Sequence, residues 1–230
     1  MVFHGFQKLT LLDYPGKVAA TLFTAGCNFK CPFCHNASLV THIEGSGVYT
    51  EEEVLSYLKK RHGILDGICL TGGEPLLQSG VEDFFRAVKA LGYAVKLDTN
   101  GSFPERLAAL IDEGLVDYVA MDIKNSKEKY PLTVGVAGFS TAAVERSVSL
   151  LLEGRVDYEF RTTVVKELHT KEDIAAIGAW IAGAEKYFLQ QFADSGDLIC
   201  SGLSAESEEN VRKMQEIASR FVKKTDIRGF

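Results

Sequence analysis

The chain has 230 residues, which is long enough to bury one large core. Its formal net charge of −6 argues against a nucleic-acid partner, because nucleic-acid binding depends on clustered Lys and Arg. No apolar run approaches the about twenty residues of a membrane span, and residues 1–17 lack the apolar core of a signal peptide. We therefore expect a cytoplasmic protein without a membrane partner.

Six apolar, β-rich runs alternate with helical patterns along the chain. They cover residues 18–24, 64–71, 93–99, 116–123, 156–165 and 186–192. Three N-cap patterns predict helix starts between them: Thr50 with Glu53, Ser79 with Glu82, and Ser102 with Glu105. This alternation predicts an α/β fold with a parallel sheet that curls into a full or partial barrel.

The end of the chain carries one more helical pattern. Val211, Met214, Ala218 and Phe221 recur at helical spacing, which predicts a last helix over about 204–222 packed outside the barrel. No linker, low-complexity segment or sequence repeat interrupts the chain, so we expect a single domain over residues 1–230.

Three of the five cysteines, Cys27, Cys31 and Cys34, crowd into one loop after the first predicted strand. An odd number of cysteines with this crowding is a poor disulfide framework. Three thiolates on a four-iron cluster would leave one iron open, and an open position is typical of catalytic metal sites. Cys69 lies in an apolar run, and Cys200 has no second cysteine at the spacing of a metal-binding or redox motif. Both are therefore expected to be structural or incidental.

Polar residues follow the next three strands, where parallel strands of a barrel bring their carboxyl ends together. These segments cover residues 71–75, 98–101 and 122–124. Each has an ordinary explanation by itself: a tight turn, an Asx turn at Asp98, or a surface ion pair between Asp122 and Lys124. Their coincidence after consecutive strands predicts one site at the barrel mouth.

The pattern Cys27-x-x-x-Cys31-x-x-Cys34, with Phe33 and a Gly-Gly-Glu-Pro loop at residues 72–75, resembles the radical S-adenosylmethionine (SAM) superfamily. Within it, residues 13–16 (Asp-Tyr-Pro-Gly), 98–101 (Asp-Thr-Asn-Gly) and 122–124 (Asp-Ile-Lys) resemble the glycyl-radical-enzyme activases. The likeness is greatest to the longer activating proteins of anaerobic ribonucleoside-triphosphate reductase, with pyruvate formate-lyase activases as near relatives. It implies a partial (β/α)6 TIM-type barrel of the radical SAM kind.

The resemblance also implies an activity. One 4Fe-4S cluster on the three cysteines would bind SAM, cleave it reductively and yield a 5'-deoxyadenosyl radical that forms a glycyl radical on a partner enzyme, most simply anaerobic ribonucleoside-triphosphate reductase. The implied electron donor is a low-potential flavodoxin or ferredoxin. The protein would then be an oxidoreductase whose own part is positioning and water exclusion.

The resemblance assigns roles to residues as well. Phe33 would pack against adenine, Gly72 and Gly73 would let the backbone approach the cofactor, and Glu74 would accept from its ammonium group. The remaining cofactor contacts would be Asp98, Asp122, Lys124 and Arg161. A monovalent cation would lie among Asp98, Thr99, Met121 and Asp122. The loop with Asp13, Tyr14 and Lys17 is expected near the mouth, in contact with the partner, and His35 is expected to orient the cofactor without ligating iron.

Other functions remain open at this point. Cys31-Pro32-Phe33-Cys34 alone is also a dithiol oxidoreductase motif, and the three cysteines with His35 would suit a zinc-binding module. Within the superfamily, the alternatives are a pyruvate formate-lyase-type activase and an enzyme acting on a small molecule, such as a 7-carboxy-7-deazaguanine synthase. Arg161 could equally be an outward charge.

Overall fold

The computed structural model describes residues 1–41, 43, 48–194 and 196–229. Its strands are β1 (Val2–Phe3), β2 (Gly5–Thr10), β3 (Ala19–Thr24), β4 (Tyr49–Thr50), β5 (Gly67–Gly72), β6 (Ala94–Thr99), β7 (Tyr118–Asp122), β8 (Asp157–Val164), β9 (Lys186–Gln191) and β10 (Lys224–Arg228). Its helices are α1 (Ala37–Thr41), α2 (Glu51–Lys59), α3 (Val81–Ala90), α4 (Pro104–Asp112), α5 (Tyr130–Thr133), α6 (Ala142–Leu152), α7 (Lys171–Trp180) and α8 (Glu208–Ala218), with a 3-10 turn at Pro75–Leu77.

Eight strands form one sheet in the order β10-β9-β8-β7-β6-β5-β3-β2, and β1 pairs with β4 separately. Every neighbouring pair is parallel except β2 with β3, which are antiparallel. The six predicted strands are confirmed as β3 and β5 to β9. The sequence missed the two edge strands, β2 and β10, because both are short and mostly polar and so lack a clear apolar alternation.

Helices begin near all three predicted starts, but only one of the three predicted N-cap residues is confirmed. Thr50 and Glu53 form a reciprocal capping box at the start of α2. The prediction at Ser79 is wrong because α3 begins after Gly80, whose φ of +82° suits glycine. The prediction at Ser102 is wrong because Phe103 precedes α4 and the Ser102 hydroxyl is engaged elsewhere.

The parallel strands have one apolar face and one polar face. The residues of the apolar face pack against the helices in one core cluster that includes Leu22, Ile68, Leu70, Val95 and Leu97. The alternating positions between them lie on the other face of the sheet, which carries the polar residues of the site. Cys69 is buried as predicted, but its sulfur lies 3.6 Å from Lys96 Nζ and 3.7 Å from Asp98 Oδ1, so its surroundings are charged instead of apolar.

The last helix, α8, is shorter than predicted and buries Val211, Met214 and Ala218 in the same core cluster as the barrel strands. Phe221 lies beyond the helix end, and its ring packs on Gly178 of α7. A Cβ added to Gly178 would stand 2.6 Å from the Phe221 ring. Among the described residues, no helix is both long enough and apolar enough to cross a membrane.

Candidate active site

The three clustered cysteines lie in the loop that follows β3, which we call the cysteine loop (residues 25–36). Backbone hydrogen bonds tie this loop to its surroundings at two points, since Gly26 N–H donates to Leu39 O at 2.7 Å and Lys30 N–H to Val134 O at 2.8 Å. Within the loop, Cys34 N–H donates to Cys31 O at 3.0 Å. Because the backbone fixes the loop, the thiols are left available to bind a ligand.

The cysteine loop forms one wall of a pocket at the carboxyl ends of the strands. The structure brings most of the predicted cofactor residues to the same pocket. Those that line it are Cys27, Cys31, Cys34, Phe33, Gly72, Gly73, Asp98, Thr99, Asp122, Lys124 and Arg161. Glu74 and Met121 are not among the lining residues, and both are buried.

Two of the thiols lie in surroundings that disfavour the free anion. Burial raises the pKa of Cys27 to about 11 and the pKa of Cys31 to about 12. Both are therefore protonated at neutral pH until a metal displaces the proton. The donor set of three thiols suits an iron-sulfur cluster, in which each thiolate binds a different iron.

A single-ion zinc site fits these residues less well. Within the described ranges, no three His, Cys, Asp or Glu side chains are grouped to coordinate one metal ion. His35, the fourth ligand that a zinc module would need, instead stacks on Phe192, with ring centroids 5.6 Å apart and planes at 19°. His35 lines the pocket, as expected of a residue that orients a ligand without binding metal.

Phe33 is buried on the pocket wall and meets the ring of His169 edge-on, with centroids 6.4 Å apart. His169 Nε2 lies 2.8 Å from the Lys124 carbonyl oxygen, to which it must donate, and its Nδ1 accepts from Val165 N–H at 3.1 Å. Burial lowers the pKa of His169, which favours this neutral form. The imidazole thus ties the aromatic wall to the loop that carries Lys124.

A chain of alternating charges crosses the pocket floor. Asp98 pairs with Lys96 and with Arg161 Nη1, the latter at 3.1 Å. Asp122 pairs with Arg161 Nε and with Lys124 Nζ, both at 2.9 Å. Lys96 lines a second cavity, so the charged residues of the network that line the pocket itself are two carboxylates and two cations, Asp98, Asp122, Lys124 and Arg161. Arg161 therefore faces the pocket and is not an outward charge.

The pKa values follow from this pairing. Burial alone would raise the pKa of Asp122, but the charges of Arg161 and Lys124 lower it to about 2. Burial alone would lower the pKa of Lys124 and of Arg161, but their carboxylate partners raise both. All members of the network stay charged near neutral pH. The surface-pair explanation for Asp122 and Lys124 is wrong, because their side chains are only 27% and 19% exposed.

The predicted cation residues are arranged differently from the expectation. Both Asp98 and Asp122 already face two protein cations each. Met121 is fully buried, and its Cε lies 2.1 Å from where a Cβ on Gly101 would stand. A monovalent cation at this place would have to compete with the Arg161 guanidinium.

The two glycines of the Gly-Gly-Glu-Pro loop are needed by the fold itself. A Cβ on Gly73 would stand 2.0 Å from Gly26 O, and one on Gly72, whose φ is +109°, would stand 2.4 Å from Thr24 O. Asn36 Nδ2 also donates to Gly72 O at 3.1 Å. The missing side chains let this loop pack directly on the cysteine loop, a reason that the sequence did not reveal.

Glu74 has a different place from the one predicted. Its carboxylate accepts from Asn100 N–H at 2.7 Å, from the Thr99 hydroxyl at 2.8 Å and from Leu76 N–H at 3.0 Å. Burial raises its pKa to about 7, while these three donors favour the anion. With its oxygens so engaged, Glu74 fastens the loop after β6 to the loop after β5, and its predicted contact with an ammonium group is not favoured by this geometry.

The loop with Asp13, Tyr14 and Lys17 does not lie near the mouth, and that expectation is wrong. Tyr14 is 2% exposed and packs with Ala19 and Tyr118, the first residues of β3 and β7. A segment that directly precedes a parallel barrel strand must lie at the amino-terminal end. Asp13 accepts from the Thr21 hydroxyl at 2.6 Å and lines the second cavity, which shares Asp98, Arg161 and Gln190 with the first.

Several residues of the pocket were assigned no role from the sequence. Asn36, Asn100, Thr163 and Gln190 also line the pocket, and His169 supports its wall. Asn100 lies within the quoted Asp-Thr-Asn-Gly segment, which could have marked it as a candidate. Gln190 and Thr163 follow the inward alternation of β8 and β9, which indicates a face without indicating a role.

Known proteins resemble this chain in sequence. A sequence model of the radical SAM superfamily matches residues 21–180. A protein of Methanocaldococcus jannaschii, provisionally named a glycyl-radical enzyme activating enzyme, is 34% identical over 97% of this chain and 94% of its own length. The pyruvate formate-lyase 1-activating enzyme of Escherichia coli (strain K12) is 35% identical over 60% of this chain and 58% of that enzyme.

Solved structures share the fold. SuiB of Streptococcus suis, bound to the precursor peptide SuiA, superposes with a TM-score of 0.69 at 13% identity, over 91% of this chain and 48% of SuiB. SuiB has also been solved bound to S-adenosylmethionine. A domain of the pyruvate-formate lyase-activating enzyme of Bacteroides vulgatus ATCC 8482 has a TM-score of 0.58 at 17% identity, over 71% of this chain and 99% of that domain.

Proposed function

The chain belongs to the radical SAM superfamily and is an enzyme, and from this premise we propose that it activates a partner enzyme by forming a glycyl radical on it. The proposal is supported by the relative named for this activity, which matches along nearly the whole chain. The observation that carries it is the single pocket in which the three cysteines face Asp98, Asp122, Lys124 and Arg161.

The residues present suit the two groups that the superfamily implies. Cys27, Cys31 and Cys34 would hold a 4Fe-4S cluster, and the adjoining loop with Gly72 and Gly73, together with the charged floor, would hold the amino and carboxylate groups of SAM. When bound, the cluster and SAM together supply the one-electron chemistry that produces a carbon-centred radical able to remove a hydrogen atom from glycine.

The protein's own contribution is electrostatic and steric. Lys124 and Arg161 line the pocket, and the Lys124 ammonium, which pairs with Asp122 at 2.9 Å, has further N–H groups that can donate to a carboxylate. Because the ion pairs of the pocket floor are largely buried, they hold their positions without water and need no rearrangement to receive the ligand. Phe33 and Phe29 add apolar walls that exclude water from a reactive radical.

The finer assignments rest on the activase-like motifs in the sequence. We propose anaerobic ribonucleoside-triphosphate reductase as the partner and a low-potential flavodoxin or ferredoxin as the electron donor. A monovalent cation beside Asp98 and Asp122 stays a prediction, and its binding would require the pairs with Arg161 to open. In the loop before β3, Leu11 and Leu12 are 68% and 90% exposed, Asp13 and Lys17 are half-buried, and Tyr14 is covered.

The test is anaerobic reconstitution with iron and sulfide, reduction in the presence of SAM, and chromatographic detection of 5'-deoxyadenosine. A purified glycyl-radical enzyme is then added, and its radical is measured by electron paramagnetic resonance. Wild type should give both signals. Cys34→Ala is the control and should give neither.

The outcomes separate the alternatives. Cleavage of SAM without a radical on any anaerobic reductase or formate-lyase would contradict the proposed activation and favour a small-molecule substrate. A radical on pyruvate formate-lyase alone would replace the proposed partner and keep the activity.

A further inference from the structure

A buried amide network links the cysteine loop to the loop after β6. The side chain of Asn100, which is 6% exposed, lies between Asn28 and Ser102. Its Nδ2 atom is 2.9 Å from Asn28 Oδ1 and 3.8 Å from Cys27 Sγ. Asn100 thus contacts one of the three thiols directly.

The orientation of the Asn100 amide is fixed by a donor that cannot be reversed. Ser102 backbone N–H donates to Asn100 Oδ1 at 2.9 Å, so this atom must be the carbonyl oxygen. The Ser102 hydroxyl also donates to Asn100 Oδ1, at 2.6 Å, and accepts from Asn28 Nδ2 at 2.9 Å. Asn28 therefore presents its own Oδ1 to Asn100.

The two N–H bonds of Asn100 then have defined partners. One donates to Asn28 Oδ1, and the other is directed at Cys27 Sγ. Phe29 backbone N–H donates to the same sulfur at 3.4 Å. Cys27 is thus a thiol whose sulfur receives one backbone donor and one side-chain donor.

We propose that Asn100 tunes the iron-sulfur cluster by donating a hydrogen bond to the Cys27 thiolate. This inference rests on the proposed cluster. Hydrogen bonds to the ligand sulfurs are among the factors that set a cluster's reduction potential. Because reduction adds negative charge, a donor stabilises the reduced cluster more than the oxidised one and makes the potential less negative.

The surrounding structure holds Asn100 rigidly enough for this role. Its backbone N–H donates to Glu74 Oε2 at 2.7 Å, and Glu74 is itself fixed by Thr99 and by Leu76 N–H. The amide is therefore held from the backbone side by the loop after β5 and from the side-chain side by Ser102. A donor with so little freedom loses little entropy when it meets the thiolate.

The experiment is a redox titration of the reconstituted cluster in the absence of SAM, in which electron paramagnetic resonance measures the fraction of reduced cluster at each potential. Iron content and the visible absorbance are measured first, to establish that each variant carries the cluster. Asn100→Leu removes the donor without adding charge, and Asn100→Asp keeps the turn to Ser102 while replacing the donor by an acceptor. Ser102→Ala is the matched control, because it removes a hydroxyl of the same network and keeps the Ser102 backbone N–H that fixes the orientation of the Asn100 amide.

We expect both Asn100 variants to shift the potential to more negative values and Ser102→Ala to leave it within the error of wild type. An unchanged potential in Asn100→Leu would overturn the proposal, as would a shift in Asn100→Asp alone, which would be a charge effect. Loss of the cluster in both variants would assign Asn100 to assembly and overturn the tuning role. Absence of a cluster in wild type would instead refute the proposed function itself.

Discussion

Replacing Gly73 by alanine separates two reasons for the glycine pair at the site. The sequence suggests that glycine lets the backbone approach a cofactor, whereas the structure shows that it lets two loops pack together. A Cβ at Gly73 would stand 2.0 Å from Gly26 O and 2.7 Å from Gly26 C, where real Cβ contacts stay above 3.0 Å. The two loops must therefore separate by about 1 Å.

The magnitude follows from the contacts that this movement breaks. Glu74 N–H donates to Gly26 O, the oxygen that the new methyl group would strike, at 2.8 Å. Leaving a buried N–H unpaired costs about 1–3 kcal/mol. Forcing an extra methyl group into packed surroundings costs about 1–3 kcal/mol more. The expected loss of about 2–6 kcal/mol is a large share of the about 5–15 kcal/mol by which proteins of this kind are stable.

Urea unfolding followed by circular dichroism measures this loss, together with SAM binding to the reconstituted enzyme. Gly154→Ala is the comparison, because Gly154 has a φ of +70° with open space around it and so reports backbone strain of about 1–2 kcal/mol without a steric clash, whereas Gly73→Ala introduces the clash without a positive φ. A loss below about 1 kcal/mol in Gly73→Ala would refute the packing argument. Unchanged stability with lost SAM binding would favour the explanation from the sequence instead.

Three further predictions concern titrating groups. The pKa of Glu74 is raised from its ordinary 4.5 to about 7, so wild type should lose up to about 3 kcal/mol of stability as pH rises between these values. Urea unfolding at pH 5 and at pH 8 measures this difference, and Glu74→Gln should not show it. An equal difference in wild type and variant would contradict the prediction. Asp122→Asn should cost about 3–5 kcal/mol, because it leaves two buried cations underpaired. Because the pKa of Asp122 is lowered from 3.8 to about 2, wild type should lose about 2 kcal/mol of stability as pH falls between these two values, and the variant should not; acid unfolding curves of equal slope would speak against this. In the metal-free protein at pH 8, iodoacetamide should label the exposed Cys200 well before Cys27 and Cys31, whose pKa values are about 11 and 12; equal labelling rates by mass spectrometry would show that their burial is overstated.

The parts of the site that the sequence predicted are those written in short, local patterns. The spacing of the three cysteines and the Gly-Gly-Glu-Pro loop each occupy fewer than ten residues, and the strands before them show as β-rich runs. The predicted first strand, residues 18–24, was enough to place the Asp13 loop. A segment that leads into a parallel strand lies at the amino-terminal end of that strand, on the opposite side of the sheet from the site. The expectation of a partner contact at the mouth overlooked that constraint.

Pairings between distant segments could not be predicted in this way. Arg161 meets Asp98 across 63 positions, and Asn100 meets Cys27 across 73. Which residues of two strands face each other depends on strand register, and a shift of one residue would turn each side chain to the other face. Glu74 illustrates the consequence, because its carboxylate faces Asn100 and not the pocket.

The sequence by itself determined the chemistry available to this protein: three thiols in one loop, a glycine pair, and acidic and basic residues at the ends of successive strands. These follow from residue identity and local spacing, which can be read without knowing the tertiary structure. Only the tertiary structure decided which charges neutralise one another, which amide reaches a sulfur, and why Gly72 and Gly73 admit no side chain. Those properties arise where loops that are far apart in the chain are pressed together at the carboxyl ends of parallel strands.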